Sequence, residues 1–208
     1  MKFTEGTNRG RVTFPRRSFL LLNSLLSREY IAAVFLVLVF VCASASNVQG
    51  QTAKPAEYQV KAAYLYNFGK FIQWPPQPEE AKDEPFGICV WGQDPLVSAL
   101  EVLASQTING HSVITRQISK AQDVKNCKVL FVSASEKGRV SNILAVLEKF
   151  PVLTVSDMPH FLKQGGMIQF VVQNKKVRFE VNRTATERAG LIPNSELLKL
   201  AVNMKVSP

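Results

Sequence analysis

The stretch MIQFVVQNKKVRFEVN, Met167–Asn182, decides the fold. Its halves, Met167–Val172 and Lys176–Asn182, alternate apolar and polar residues, the period of a half-buried strand. Asn174-Lys175 forms a short turn between them, because Asn tolerates the positive φ that tight hairpins need. Pairing Gln173 with Lys176 sets Val172 opposite Val177, Phe170 opposite Phe179 and Ile168 opposite Val181. That face is apolar throughout, and a slip of one residue would turn all of it outward. The other face carries Val171 with Arg178, Gln169 with Glu180, and Met167 with Asn182. Two readings of it stand. It is a surface that a partner touches, through Gln169, Arg178, Glu180 and Asn182, or the solvated side of an ordinary edge hairpin.

Upstream of the hairpin, helices and strands alternate. Glu57–Gln73 is predicted helical, with Val60, Tyr64, Phe68, Phe71 and Ile72 on one face and Lys61 and Lys70 pointing elsewhere; Trp74-Pro75-Pro76 stops it. Its five aromatics (Tyr58, Tyr64, Tyr66, Phe68, Phe71) exceed what a narrow core stripe needs. Either some Tyr edges are simply exposed, or the surplus, Tyr66 included, makes a docking or dimer surface. Phe86–Trp91 is a nearly unbroken apolar run, as in a strand buried on both faces. Gly92-Gln93-Asp94-Pro95 then turns the chain, Asp94 capping a helix that bears Leu96, Leu100 and Leu103. His111–Ile118 and Val129–Val132 read as strands. Ser133–Glu136 resembles a capping box before a helix with Val140, Ile143, Leu144 and Leu147 on one face. Val152–Val155 is a strand, Asp157–Lys163 a short helix, and Gly165-Gly166 leads into the hairpin. Thr184–Glu187 resembles a second capping box, and Asn194 or Ser195 caps a last helix with Leu197, Leu198 and Ala201.

This order implies an α/β fold: a single three-layer domain, mainly parallel sheet with a C-terminal antiparallel hairpin, flanked by about five helices. Loops after parallel strands gather at one edge of such a sheet. Asp94, Ser133 and Asp157 lie in those loops, where they cap helices or hold a small ligand.

The first 45 residues read as an address. Arg9, Arg11, Arg16, Arg17 and Arg28 precede the apolar run Ile31–Cys42, and Ala43-Ser44-Ala45 follows as a signal-peptidase pattern. The run is shorter than the roughly 20 residues of a membrane span. Arg16-Arg17-Ser18-Phe19-Leu20 resembles a twin-arginine signal, but Arg28-Glu29 interrupts the apolar stretch after it, which favours the general secretory route. The division is therefore a signal peptide over 1–45, a linker over 46–55 and a domain over 56–204, with periplasmic localisation and no span after cleavage. The leader takes six of the 25 basic and two of the 16 acidic residues, leaving 19 against 14, or +5, for the mature chain. With no basic run interleaved with aromatics, nucleic-acid binding is not expected.

Cys89 and Cys127 are the two cysteines of the mature chain. An even pair in an exported protein reads as a disulfide, against the alternative of two buried free thiols. No metal site is expected, since His111 and His160 lack ligand spacing from a Cys. No phosphate-loop lysine motif, Gly-x-Gly-x-x-Gly or Gly-x-Ser-x-Gly occurs, and no His is placed for a triad. The chain is expected to be no enzyme and to need no cofactor.

The segments Tyr58–Phe68, Lys70-Phe71, Trp74-Pro75, Ile88-Cys89-Val90 through Asp94-Pro95, Cys127–Phe131 and Leu153–Asp157 continue through Gly165–Ile168, Val177–Asn182, Ala189-Gly190-Leu191 and Leu197–Ala201. Together they resemble the YfiR-like periplasmic family. The resemblance implies a non-enzymatic periplasmic regulator that tends to form a homodimer. It would bind the periplasmic domain of an inner-membrane diguanylate cyclase, lowering cyclic-di-GMP and biofilm formation; another membrane sensor, or a small ligand, is the alternative partner. It also implies the Cys89–Cys127 disulfide. A second bridge found in some members has no counterpart here, since Ser133–Val155 contains no Cys.

Overall fold

The structure, a computed structural model, describes residues 53–76 and 84–205, so the leader and most of the expected linker lie outside the described residues. In chain order the elements are helix α1 (Ala53–Phe71), strands β1 (Ile72–Gln73) and β2 (Phe86–Trp91), and helix α2 (Leu96–Leu100). There follow β3 (Thr107–Ile108), β4 (His111–Ile118), β5 (Val129–Val132), α3 (Val140–Leu147) and β6 (Leu153–Ser156). The chain closes with β7 (Ile168–Gln173), β8 (Lys176–Asn182), α4 (Arg183–Arg188), β9 (Ile192–Pro193), α5 (Ser195–Leu200) and β10 (Asn203–Lys205). Among the described residues, no helix is long and apolar enough to cross a membrane.

Eight strands form one sheet in the order β10-β8-β7-β6-β5-β2-β4-β3. Only the β7–β8 and β3–β4 pairs are antiparallel, which is the α/β architecture that alternating helices and strands imply. All six residues of β2 are buried. Ile88 and Val90 join one core with Val129, Phe131, Leu153 and Val155. Cys89 and Trp91 point to the other face, with Leu130 and Val132. The period of 2 thus serves both faces of a covered sheet. Gly87 is fixed by the same crowding, because a Cβ there would collide with the carbonyl of Asn126. That close approach brings the Cys127 segment beside β2, and the Cys89–Cys127 disulfide joins them with 5.8 Å between Cα atoms.

The hairpin has the register that its alternation dictates, from Gln173↔Lys176 through Val172↔Val177 and Phe170↔Phe179 to Ile168↔Val181. Both turn residues, Asn174 and Lys175, have positive φ, the backbone of the type I′ turn that matches strand twist. On the inner face, Phe179 stands edge-on to Phe68 at 5.0 Å and to Tyr64 at 5.4 Å. Each such ring contributes roughly 1.5–3 kcal/mol by burial alone.

Several expectations are corrected. Helix α1 starts at Ala53, inside the expected linker. Its buried stripe is Lys61, Ala62, Leu65 and Phe68, while Val60 is 43% exposed; the stripe lies about a quarter-turn from the expected one, and Ile72 is buried from β1. Val172, placed on the core face, is 67% exposed, because a cleft separates it from Ala56, Glu57 and Val60 of α1. Residues 157–163 form turns, with 3-10 geometry only at Leu162–Gln164. Helix α4 is capped by Asn182, whose side chain accepts from the Ala185 N–H, two residues before the expected capping box. Finally, the outer side of β8 is met by β10 in parallel at Glu180–Asn182, so this stretch is no sheet edge.

Candidate functional site

The carboxyl ends of β2, β5 and β6 meet at one edge, and the loops there are sewn together by side chains. Gly92, at φ +94°, turns the chain out of β2 where a side chain would strike Ser135 and Glu136. Ser133 Oγ donates to the Gln93 carbonyl at 2.7 Å and accepts from the Ser135 N–H. Ser135 Oγ accepts in turn from the Gln93 N–H at 3.1 Å. Ser156 Oγ donates to the Val132 carbonyl at 2.7 Å and accepts from the Met158 N–H. These small hydroxyls take over the backbone groups that the strands leave unpaired.

Into this edge reaches Lys61, from the buried stripe of α1. The residue is 3% exposed. Its ammonium lies 2.7 Å from both Glu57 Oε1 and Asp157 Oδ2, and 5.2 Å from the centre of the Tyr58 ring. Burial would pull the amine down, but hydrogen bonds to Asp157 and Glu57 outweigh it and hold Lys61 above the ordinary lysine value. Such a lysine is a charged anchor and no nucleophile, which would need a depressed pKa. Burial raises the Asp94 carboxyl above the usual range against the Leu96 N–H, which lowers it; nearby Asp157 adds to the rise. Burial likewise raises the Tyr58 hydroxyl, with Asp94 next in effect.

Asp94, Ser133 and Asp157, expected in neighbouring loops, are thus brought together. Lys61 completes the group and was missed, because a lone lysine in an aromatic helix counts as surface in any hydropathy pattern. The signal that could have found it is the Glu57/Lys61 spacing of i, i+4. Among the described residues, no three His, Cys, Asp or Glu side chains are grouped to hold a metal ion.

The hairpin residues fare differently. Gln169, Arg178 and Glu180 are half-buried on the outer face; Gln169 Oε1 lies 3.5 Å from the Leu162 N–H, and Glu180 Oε1 accepts from Asn203 Nδ2 at 2.8 Å. Asn182, expected on that surface, is instead buried. Its carbonyl caps α4 and its amide donates to the Leu162 carbonyl at 3.3 Å. Tyr66 donates to the Thr107 carbonyl at 3.0 Å, with Lys70 Nζ 5.3 Å from its ring centre.

A parallel sheet covered on both faces, stapled by a disulfide and extended by a hairpin, defines an α/β domain whose polar groups converge at the carboxyl edge. Residues 58–202 match the YfiR/HmsC-like family model, and the chain belongs to that family. No curated protein matches the chain. Similar solved structures include a conserved domain protein from Vibrio cholerae, at 10% identity and TM-score 0.49, covering 69% of this chain and 60% of that one. Another is an ABC domain in complex with L-Trp from Streptococcus pneumoniae, at 8% identity and TM-score 0.42, covering 58% and 55%. A third is a ligand-free substrate-binding protein with adhesive properties from Clostridium difficile, at 12% and 0.40, covering 61% and 56%. The chain spans less than two thirds of the length of each.

Proposed function

We propose that this protein is a non-enzymatic periplasmic regulator that binds the periplasmic sensor domain of an inner-membrane signalling protein. In this reading it represses a diguanylate cyclase and lowers cyclic-di-GMP. The observation that carries it is the family match over residues 58–202. The disulfide adds support, since such bonds persist in oxidising compartments. The half-buried outer face of the hairpin, with Arg178 beside Gln169 and Glu180, supplies a mixed surface of the kind partners use. In-cell crosslinking of the tagged mature protein, with mass spectrometry of what it captures, tests the reading. Recovery of a cyclase with a periplasmic sensor domain is expected; recovery of another receptor alone would discard the cyclic-di-GMP assignment. Glu180→Arg should abolish capture with the melting temperature nearly unchanged, whereas a large fall in melting temperature would mark Glu180 as structural.

A second reading has its own observation: the convergence of Lys61, Asp94, Ser133 and Asp157 suits a small periplasmic ligand with polar groups of both signs. Thermal shift across periplasmic metabolites tests it. A shift absent from Asp94→Asn would support it, and no shift with any compound would count against it.

A further inference from the structure

Beyond Gln169 the hairpin leaves the sheet. The β6–β7 ladder ends at Ser156↔Gln169, and β10 pairs with β8 only at Glu180–Asn182. Residues 171–178 therefore have no ladder partner but each other, as a two-stranded arm. A two-residue turn is closed by a hydrogen-bonded pair, here Gln173↔Lys176, and bonded and non-bonded pairs alternate from it. The Asn182 N–H to Met167 carbonyl bond, at 2.8 Å, is in phase with that alternation. The amides and carbonyls of Phe170, Val172, Val177 and Phe179 thus face outward, away from the arm's own ladder.

The two outer edges are unlike. On the β8 side, the Phe179 carbonyl accepts from the Val202 N–H at 3.0 Å and the Val177 carbonyl from the Tyr64 hydroxyl at 3.4 Å. On the β7 side, no rung of the ladder follows Gln169, and Val172 stands 67% exposed. A notch of about 330 Å³ opens beside this edge, with Glu57, Lys61, Asp157 and Pro159 on one side and Val171 and Val172 on the other. The ligand whose polar groups repeat at the spacing of an open strand is another extended backbone. Lys175, Lys176 and Arg178 at the tip meet no acidic residue along the arm before Glu180, so the carboxylates of such a segment belong at the tip, away from Glu57 and Asp157.

We propose that the β7 edge from Val171 to Gln173 takes up an extended, acidic segment of the protein partner as an added strand. The inference rests on the regulator reading above and specifies how the regulator grips. Main-chain bonds would supply affinity, an apolar side chain of the segment would cover the exposed Val172, and its carboxylates would meet the lysines of the tip.

The test uses a capped peptide of about eight residues, alternating valine and threonine and ending in two aspartates. Binding to the mature chain is followed by NMR and by amide hydrogen exchange. Protection of the Val172 amide is expected. Val172→Pro removes that outward donor and no bond of the hairpin ladder, so it should fold normally and bind about tenfold more weakly. Val177→Pro makes the same change on the other edge and should bind as wild type does. Lys175→Glu with Lys176→Glu should weaken binding and flatten its salt dependence. Wild-type protein that ignores the peptide, equal binding by Val172→Pro, or protection of Val177 instead would each overturn the proposal. A sensor domain bound equally by wild type and Val172→Pro would overturn it while leaving the regulator reading intact. Peptide binding as described with no sensor domain captured would do the reverse.

Discussion

The two faces of the central sheet are held by different chemistry. Beneath α3 the contacts are aliphatic, and they cover the Cys89–Cys127 bridge, which ties β2 to the segment before β5, with Leu130, Val132, Ile143 and Leu144 around it. Beneath α1 they are aromatic and ionic: the rings of Tyr64, Phe68, Phe170 and Phe179, then the Lys61–Asp157 pair at the carboxyl edge. A disulfide holds at any pH until it is reduced. An ion pair depends on charge, and what ring contacts hold in place depends on how well the rings fit. The α3 face is thus the fixed base of the molecule, and the α1 face is the one on which pH acts.

The largest effect should come from the base. Replacing both Cys89 and Cys127 with Ala opens a loop of 38 residues and should cost roughly 4 kcal/mol in chemical denaturation. Cutting into the aromatic face should cost less. Phe179→Leu keeps a hydrophobic side chain but loses the edge contacts to Phe68 and Tyr64, for about 2–3 kcal/mol.

Lys61→Met should cost about 1–2 kcal/mol, because Glu57 and Asp157 keep partial access to water when their partner goes. Its pH dependence separates it from a packing defect. Lys61 has a raised folded value, so its contribution is complete below the unfolded value near 10.5 and is lost as pH rises through the folded one. Stability curves of wild type and Lys61→Met should therefore run parallel at neutral pH and converge under alkali. Parallel curves throughout would mean that the charge contributes nothing.

Asp94→Asn should have the smallest effect, and of opposite sign. A carboxyl raised by burial destabilises the fold while it is charged, and this penalty fades as pH falls through its folded value towards 3.8. The variant should gain under about 1 kcal/mol at neutral pH and nothing in acid.

Much of this contrast was legible in the sequence. The hairpin register followed from the alternation of Ile168–Val172 and Val177–Val181, because one apolar face admits one pairing. The two-sided burial of β2 followed from its unbroken apolar run, and the disulfide from cysteine arithmetic. What stayed hidden is non-local. Lys61 is buried by an aspartate 96 positions away, which no window along the chain contains. Strands β1, β3, β9 and β10 have two or three residues each, too few to show a period. Asn182 looked like a surface residue because it continues a polar register, yet the strand ends there and its side chain is taken by the next helix.

The place of the disulfide also has a consequence for how the chain is assembled in time. In the sheet, β2 lies between β4 and β5, so both of its neighbours exist once the chain has emerged as far as Val132. A chain that appears N-terminus first can then close the Cys89–Cys127 bond and lock three adjacent strands while the hairpin is still to come. Helix α1 has appeared even earlier, but two of the rings it packs against, Phe170 and Phe179, arrive late. Helix α1 is therefore made before the strands it covers and is among the last elements to find its place.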